Sequence, residues 1–208
     1  MIGREHWLAV ARDSDADDLR ESILSGYKTG KPFTPYVPTL QFPSHLASVL
    51  DFGCGIGRNF PFLKTIASSV VGFDLLPMIE RCRTLATSPV AQLTARWEEV
   101  TESRFNLIFA SLVLQHLEPE TCDAYLRDFA RVSPIVYLLT RVVDDFGSSV
   151  LRTVADTELF EAGECVEVEH DPATHQLMIL GRKSLADACD GPGGAHYELL
   201  LRSRIYAQ

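Results

Sequence analysis

The chain has no run approaching the roughly 20 consecutive apolar residues needed to span a bilayer. Its first residues lack the basic-then-apolar pattern of a secretory signal. It also lacks any C-x-x-C pair or paired Cys/His spacing. Cys54, Cys82, Cys122, Cys165 and Cys189 stand singly, so neither a zinc site nor a disulfide framework is indicated, and no metal is expected. An odd cysteine count fits a reducing compartment, so the expected setting is the cytoplasm. Positive charge is scarce: 19 Lys+Arg against 28 Asp+Glu leave a net charge of -9. Nucleic-acid binders draw most of their affinity from neutralising phosphates, so this balance argues against such a partner. The same reading leaves no membrane partner.

What is present fits one globular unit. With 208 residues, 46% hydrophobic and 23% charged, the chain is long enough for a sizeable core and too short for two ordinary domains. Residues 1–46 hold an acidic segment, read as a helix from Asp13 to Tyr27 capped by Asp13 or Ser14. Gly26 and Gly30 close it, and a proline-rich stretch follows. Strands then alternate with helices. Ser48–Phe52, Val70–Phe73, Val90–Thr94, Phe105–Ala110 and Ile135–Leu139 read as strands; Asn59–Ala67, Pro77–Thr87 and Pro119–Val132 read as helices. Continuously apolar strands in such alternation signify a parallel sheet covered on both faces. A last helix is expected over Gly147–Ala162 with Gly163 at its end, then strands Cys165–Glu169, Gln176–Leu180 and His196–Arg202.

The sharpest feature is Asp51-Phe-Gly53-Cys54-Gly55-Ile-Gly57-Arg58, directly after a strand and before a helix. Alternating glycines let backbone approach a ligand, because no Cβ intervenes. A dinucleotide fingerprint needs G-x-G-x-x-G, and its third glycine would fall on Arg58 or Phe60; a phosphate loop would end in Gly-Lys-Ser/Thr. Both fail. A carboxylate beside the loop would repel a pyrophosphate and favour an ammonium.

An acid two positions before G-x-G-x-G resembles the first motif of the class I S-adenosylmethionine-dependent methyltransferases. The resemblance implies a Rossmann-like doubly wound α/β fold: a mainly parallel seven-stranded sheet with an antiparallel last strand and helices on both faces. It implies S-adenosyl-L-methionine as cofactor and S-adenosyl-L-homocysteine as product. It also assigns Gly53, Cys54, Gly55 and Gly57 to the cofactor's methionine part, and Asp51 to its amino end. Asp74, closing the second strand, takes the ribose hydroxyls, with the start of the next helix as its other role. Leu75 and Met78 fall near the adenine, or in plain core. Trp97 is either a stacking partner for the adenine or a half-buried structural residue, and Arg96 stands where the family often has an Asp. Ala110, at the end of the fourth strand, also falls beside the cofactor.

Phe109-Ala110-Ser-Leu-Val-Leu-Gln-His116 resembles the segment after the fourth strand of small-molecule methyltransferases. It has no Asn/Asp-Pro-Pro-Tyr and no Pro-Cys, the signatures of methylation on bases. His116 is either a general base or a histidine capping the turn. The resemblance makes residues 1–46 a lid over a cofactor-binding core of 47–208, with Tyr27, Tyr36 and Arg141 as candidate substrate contacts. The function implied is methyl transfer to O, N or C of a small-molecule acceptor. The alternatives are an inactive cofactor-binding partner subunit, or a methyltransferase acting on RNA or protein.

Overall fold

In the computed structural model the described residues are 4–23, 37–86, 88, 90, 92–142, 147–170 and 176–206. Five parallel strands form the first part of the sheet: β1 (Leu46–Phe52), β2 (Ala67–Phe73), β3 (Gln92–Thr94), β4 (Leu107–Ser111) and β5 (Ile135–Arg141). Three antiparallel strands complete it: β6 (Phe160–His170), β7 (Leu177–Arg182) and β8 (His196–Ser203). Their order is β3-β2-β1-β4-β5-β8-β6-β7. The chain reverses its winding between β1 and β4, and ligands of open α/β sheets bind beyond the strand ends at such a point.

The strands are apolar on both faces because both are covered. Leu50, Ile108, Val136 and Leu199 pack beneath α6 (Pro119–Val132) through Leu126, Phe129 and Ala130. On the opposite face Val49, Leu107, Tyr137 and Val166 meet Phe60 and Leu63 of α3 (Phe60–Ile66) and Ile79 and Cys82 of α4 (Leu76–Leu85). α6 begins on a proline, as its sequence requires, and the preceding Glu118 is extended.

The sheet has eight strands, one more than the seven the resemblance implies; the strand read over Gln176–Leu180 is β7, which extends the edge beyond β6 and exposes Met178, Ile179 and Leu180. The helix expected through Ala162 stops earlier. α7 covers Gly147–Asp156, and Gly163 lies inside β6 rather than at a helix end. There the pairing with β8 slips between Ala162 and Glu164, and a Cβ on Gly163 would sit 2.9 Å from the carbonyl oxygen of Leu200. Glycine thus serves a bulge, not a helix terminus.

The acidic N-terminal segment also differs from expectation. A helix that was not expected, α1 (Arg4–Asp13), precedes it; its own helix is α2 (Ala16–Ile23), capped not by Asp13 or Ser14 but by Asp15, whose Oδ1 accepts from the N–H groups of Asp17 and Asp18. Two short helices, α5 (Trp97–Thr101) and α8 (Leu185–Cys189), were not legible as periodic segments. The glycines and prolines at 26–35, with Tyr27 and Tyr36, lie outside the described residues. Among the described residues no helix is long and apolar enough to cross a membrane.

Candidate active site

β1 ends at Phe52, and the glycine loop follows with Gly53, Gly55 and Gly57 at φ +71°, +55° and +83°. L side chains rarely adopt this region. At Gly53 space is closed as well: an added Cβ would stand 2.3 Å from Cγ2 of Val113. The loop after β4 therefore presses on the loop after β1. Leu112 is held at φ +56° there, with its N–H donating to the Leu139 carbonyl at 2.7 Å. A leucine in that conformation costs on the order of 1–3 kcal/mol, and nothing in its sequence context signals it. The 3₁₀ turn Leu114–His116 follows and carries His116 to the same side.

These loops border a cavity of about 640 Å³ at the C-terminal ends of β1, β2 and β4. Gly53, Cys54, Gly55, Asp74, Leu75 and Met78 border it from the glycine loop and the start of α4, as do Trp97 and His116 from the adjoining loops. Ala110 is buried in β4 behind the lining, and Gly57 packs on Phe60. Arg141 is exposed at the end of β5, with Gly194 beside its guanidinium, and is not among the lining residues.

Asp74 spans the site. Its Oδ2 accepts from the N–H of Gly55 and its Oδ1 from the N–H of Leu75, both at 2.7 Å. The carboxylate thus ties the glycine loop to the start of α4. Burial pushes its pKa up to about 6, against the two backbone donors that pull it down. An ionised carboxylate has about four acceptor sites, so capacity remains toward the cavity.

Asp51 lies at 0% exposure, and neither carboxylate oxygen has a hydrogen-bond partner. Burial pushes its pKa up to about 8, with the Asp74 charge adding to it; Asn59 and the buried Arg58 act in the opposite sense. Asn59 is close enough to favour the ionised form, yet its amide oxygen is also without a donor. A buried carboxyl with both oxygens orphaned is costly in the absence of a ligand.

Trp97 is half-buried, as a structural residue would be, and it also reaches the cavity. Its Nε1 donates to Asp128 at 2.8 Å while its ring meets Tyr125 edge-on at 4.7 Å. Arg96 pairs with Glu99 at 3.1 Å.

A further wall was not legible in the sequence. It comes from α1, whose Trp7, Val10 and Ala11 pack with Ile56 of the glycine loop and Met78 of α4. Trp7 meets the His116 ring edge-on at 5.4 Å, and Arg4 borders the cavity beside it. Across from them stand Thr121 and Tyr125 of α6. The spacing of Trp7, Val10 and Ala11 at three and four residues was the available signal for this helix.

The sequence profile of a family described as a methyltransferase domain matches residues 25–192. The chain belongs to that family. It is a methyltransferase of the S-adenosylmethionine-dependent class, and its site suits that cofactor. Asp51 is fully buried and does not itself border the cavity, but an orphaned carboxyl beside the glycine loop is of the chemistry that a cationic amine requires. Solved structures share the fold of this methyltransferase. The N-methyltransferase NodS from Bradyrhizobium japonicum WM9, in complex with S-adenosyl-L-homocysteine, is 15% identical with a TM-score of 0.52, covering 77% of this chain and 79% of its own. A Thermoplasma acidophilum protein, 1320, is 13% identical with a TM-score of 0.53, covering 78% of each chain. A protein studied in the conversion of a disulfide bond into a thioacetal group during echinomycin biosynthesis is 17% identical with a TM-score of 0.52, covering 76% of each. No curated protein matches the chain by sequence.

Proposed function

We propose that this methyltransferase acts on a small-molecule acceptor and that His116 receives the proton the acceptor loses. The observation that carries the reading is the wall that α1 adds beside the glycine loop. α1 stands over the cavity with Trp7 against His116, so the acceptor's space is a pocket of small-molecule size rather than an open groove. This placement of α1 supports treating residues 1–46 as a lid on a core of 47–208.

When bound, the cofactor would supply an electrophilic methyl group on a sulfonium; the acceptor's nucleophilic atom would bond to that carbon in line as the S–CH3 bond breaks and its electron pair leaves on the sulfur of S-adenosyl-L-homocysteine. The chain's own residues align and shield. Asp51 neutralises the cofactor's amino end and Asp74 accepts from its ribose hydroxyls. Gly53, Cys54 and Gly55 admit its methionine part, with Gly57 and Ala110 shaping the backbone behind them. Leu75, Met78 and Trp97 flank the adenine. Trp7, Leu117 and Tyr125 exclude water from the acceptor side, where holding two reactants in register is worth roughly 7–11 kcal/mol. His116, on the turn after β4, takes a proton from an acidic O–H or N–H; an acceptor that is already a free amine needs no base. Tyr27 and Tyr36 remain candidate acceptor contacts, and Arg141 a candidate at the outer rim. Five free cysteines support a reducing, cytoplasmic setting.

Transfer of labelled methyl from S-adenosylmethionine, screened over small molecules, tRNA and proteins, tests the acceptor class. Transfer confined to tRNA or protein would overturn it. On a hydroxyl acceptor His116→Ala is expected to lower kcat by about 10²–10⁴, and unchanged turnover would remove the base assignment.

A further inference from the structure

The cavity is bordered by one positive charge that no acid among the described residues neutralises. Three arginines border the cavity. Arg58 is buried beside Asp51 and acts on its charge, and Arg96 pairs with Glu99. Arg4, the first residue of α1, is exposed at the rim and forms no ion pair among the described residues. Its charge acts on the Tyr125 hydroxyl across the cavity, favouring the ionised phenol against the effect of burial. Trp7, Leu117 and Tyr125 border the same cavity as Arg4 and His116, with Trp7 against the His116 ring, and such apolar surfaces weaken solvent screening.

Resting on the small-acceptor reading above, we propose that the acceptor is an organic acid, an apolar body carrying a carboxylate, and that Arg4 reads that carboxylate while the nucleophilic atom points toward His116. A guanidinium suits this task because its fork matches a carboxylate in a bidentate pair. A chain of net charge -9 would otherwise repel such a substrate. A cation at the mouth of an apolar pocket offsets that repulsion where the acid must enter. Arg4 is thereby a specificity residue, and its loss acts on acceptor binding rather than on the transfer step.

The test compares matched probes on the protein loaded with S-adenosyl-L-homocysteine, by calorimetry: 4-hydroxybenzoate, its uncharged amide 4-hydroxybenzamide, and phenyl phosphate. The expected result is that 4-hydroxybenzoate binds about tenfold to a hundredfold more tightly than the amide, as a charge-assisted contact gives. Arg4→Gln is expected to erase that preference while homocysteine-cofactor affinity stays as in the wild type. Arg12→Gln, which removes the same charge from the same helix away from the cavity, is expected to retain it. With an acid acceptor that is turned over, Arg4→Gln raises KM and leaves kcat. Equal binding of acid and amide, no binding of either, or a preference that survives Arg4→Gln overturns the proposal. So does a phosphate bound in preference to the carboxylate, and so does a loss of homocysteine-cofactor affinity in Arg4→Gln, which would give Arg4 to the cofactor's own carboxylate. Methyl transfer to uncharged small molecules would defeat this inference alone, whereas transfer only to tRNA or protein would defeat the small-acceptor reading with it.

Discussion

Two carboxyl groups of this methyltransferase are equally buried and oppositely treated. Asp51, on β1, and Glu198, on β8, both have 0% exposure. Glu198 is surrounded by donors. The Tyr137 hydroxyl donates to its Oε1 at 2.6 Å, the Thr39 N–H donates to both oxygens at 3.0 and 3.1 Å, and the Thr39 hydroxyl donates to Oε2. Asp51 has no such partner. Glu198 holds the segment preceding β1 onto the sheet, where Leu40 and Phe42 pack with Phe109 of β4 and Tyr137 of β5. Asp51 lies beside the glycine loop at the topological switch. A satisfied buried acid fixes the fold, while an orphaned one marks a place where a ligand completes the structure.

The largest expected effect comes from removing the satisfied acid. Glu198→Ala strands the Tyr137 and Thr39 donors, each unpaired buried group costing about 1–3 kcal/mol. A total of roughly 2–5 kcal/mol would lower Tm by about 5–15 °C at roughly 2–4 °C per kcal/mol for a chain of this size, as calorimetry would register. Equal stability of wild type and variant would show that the cluster contributes nothing.

Removing the orphaned acid is expected to act the other way. Asp51→Asn should weaken S-adenosylmethionine binding about tenfold to a hundredfold, yet stabilise the cofactor-free protein at pH 8. The sign follows from proton linkage. The folded-state pKa of Asp51 is pushed up to about 8 from 3.8, so the folded chain keeps a proton that the unfolded chain releases. Its contribution to stability is full below about pH 4 and falls as pH rises toward 8. Asp74, pushed up to about 6, adds a smaller decline between about pH 4 and 6. The variant should keep only that second slope, and denaturant titrations from pH 4 to 8 would show it. A variant that parallels the wild type throughout would mean that Asp51 is not protonated in the folded protein.

The smallest effect is expected at Tyr137→Phe. It removes one of Glu198's donors but leaves both from Thr39, so a loss of about 0.5–1.5 kcal/mol is anticipated with cofactor affinity unchanged. A loss as large as that of Glu198→Ala would show that the tyrosine, rather than the acid, organises the cluster.

Much of the cofactor side could be read from neighbours in the chain. Apolar strands, a proline at the head of α6, and an acid followed by alternating glycines are local patterns, and local patterns determine local backbone. So β1, α6 and the glycine loop lie close to where periodicity places them. Gly163 misled for the same reason: a glycine after an apolar-periodic stretch reads as a helix end, while its actual task is set by the Leu200 carbonyl on another strand. Leu112 gave no signal at all, since its left-handed backbone is imposed by the packing of the loops after β1 and β4.

The sequence by itself determined the alternating α/β core, the glycine loop and the two acids beside it, because each depends on residues a few positions apart. Only the tertiary structure decided which buried acid is satisfied, which wall α1 supplies, and that Arg4 and Tyr125 border one cavity. Thr39 and Glu198 are 159 residues apart in the chain. Whether a buried charge has a donor depends on such distant partners, which no local pattern encodes.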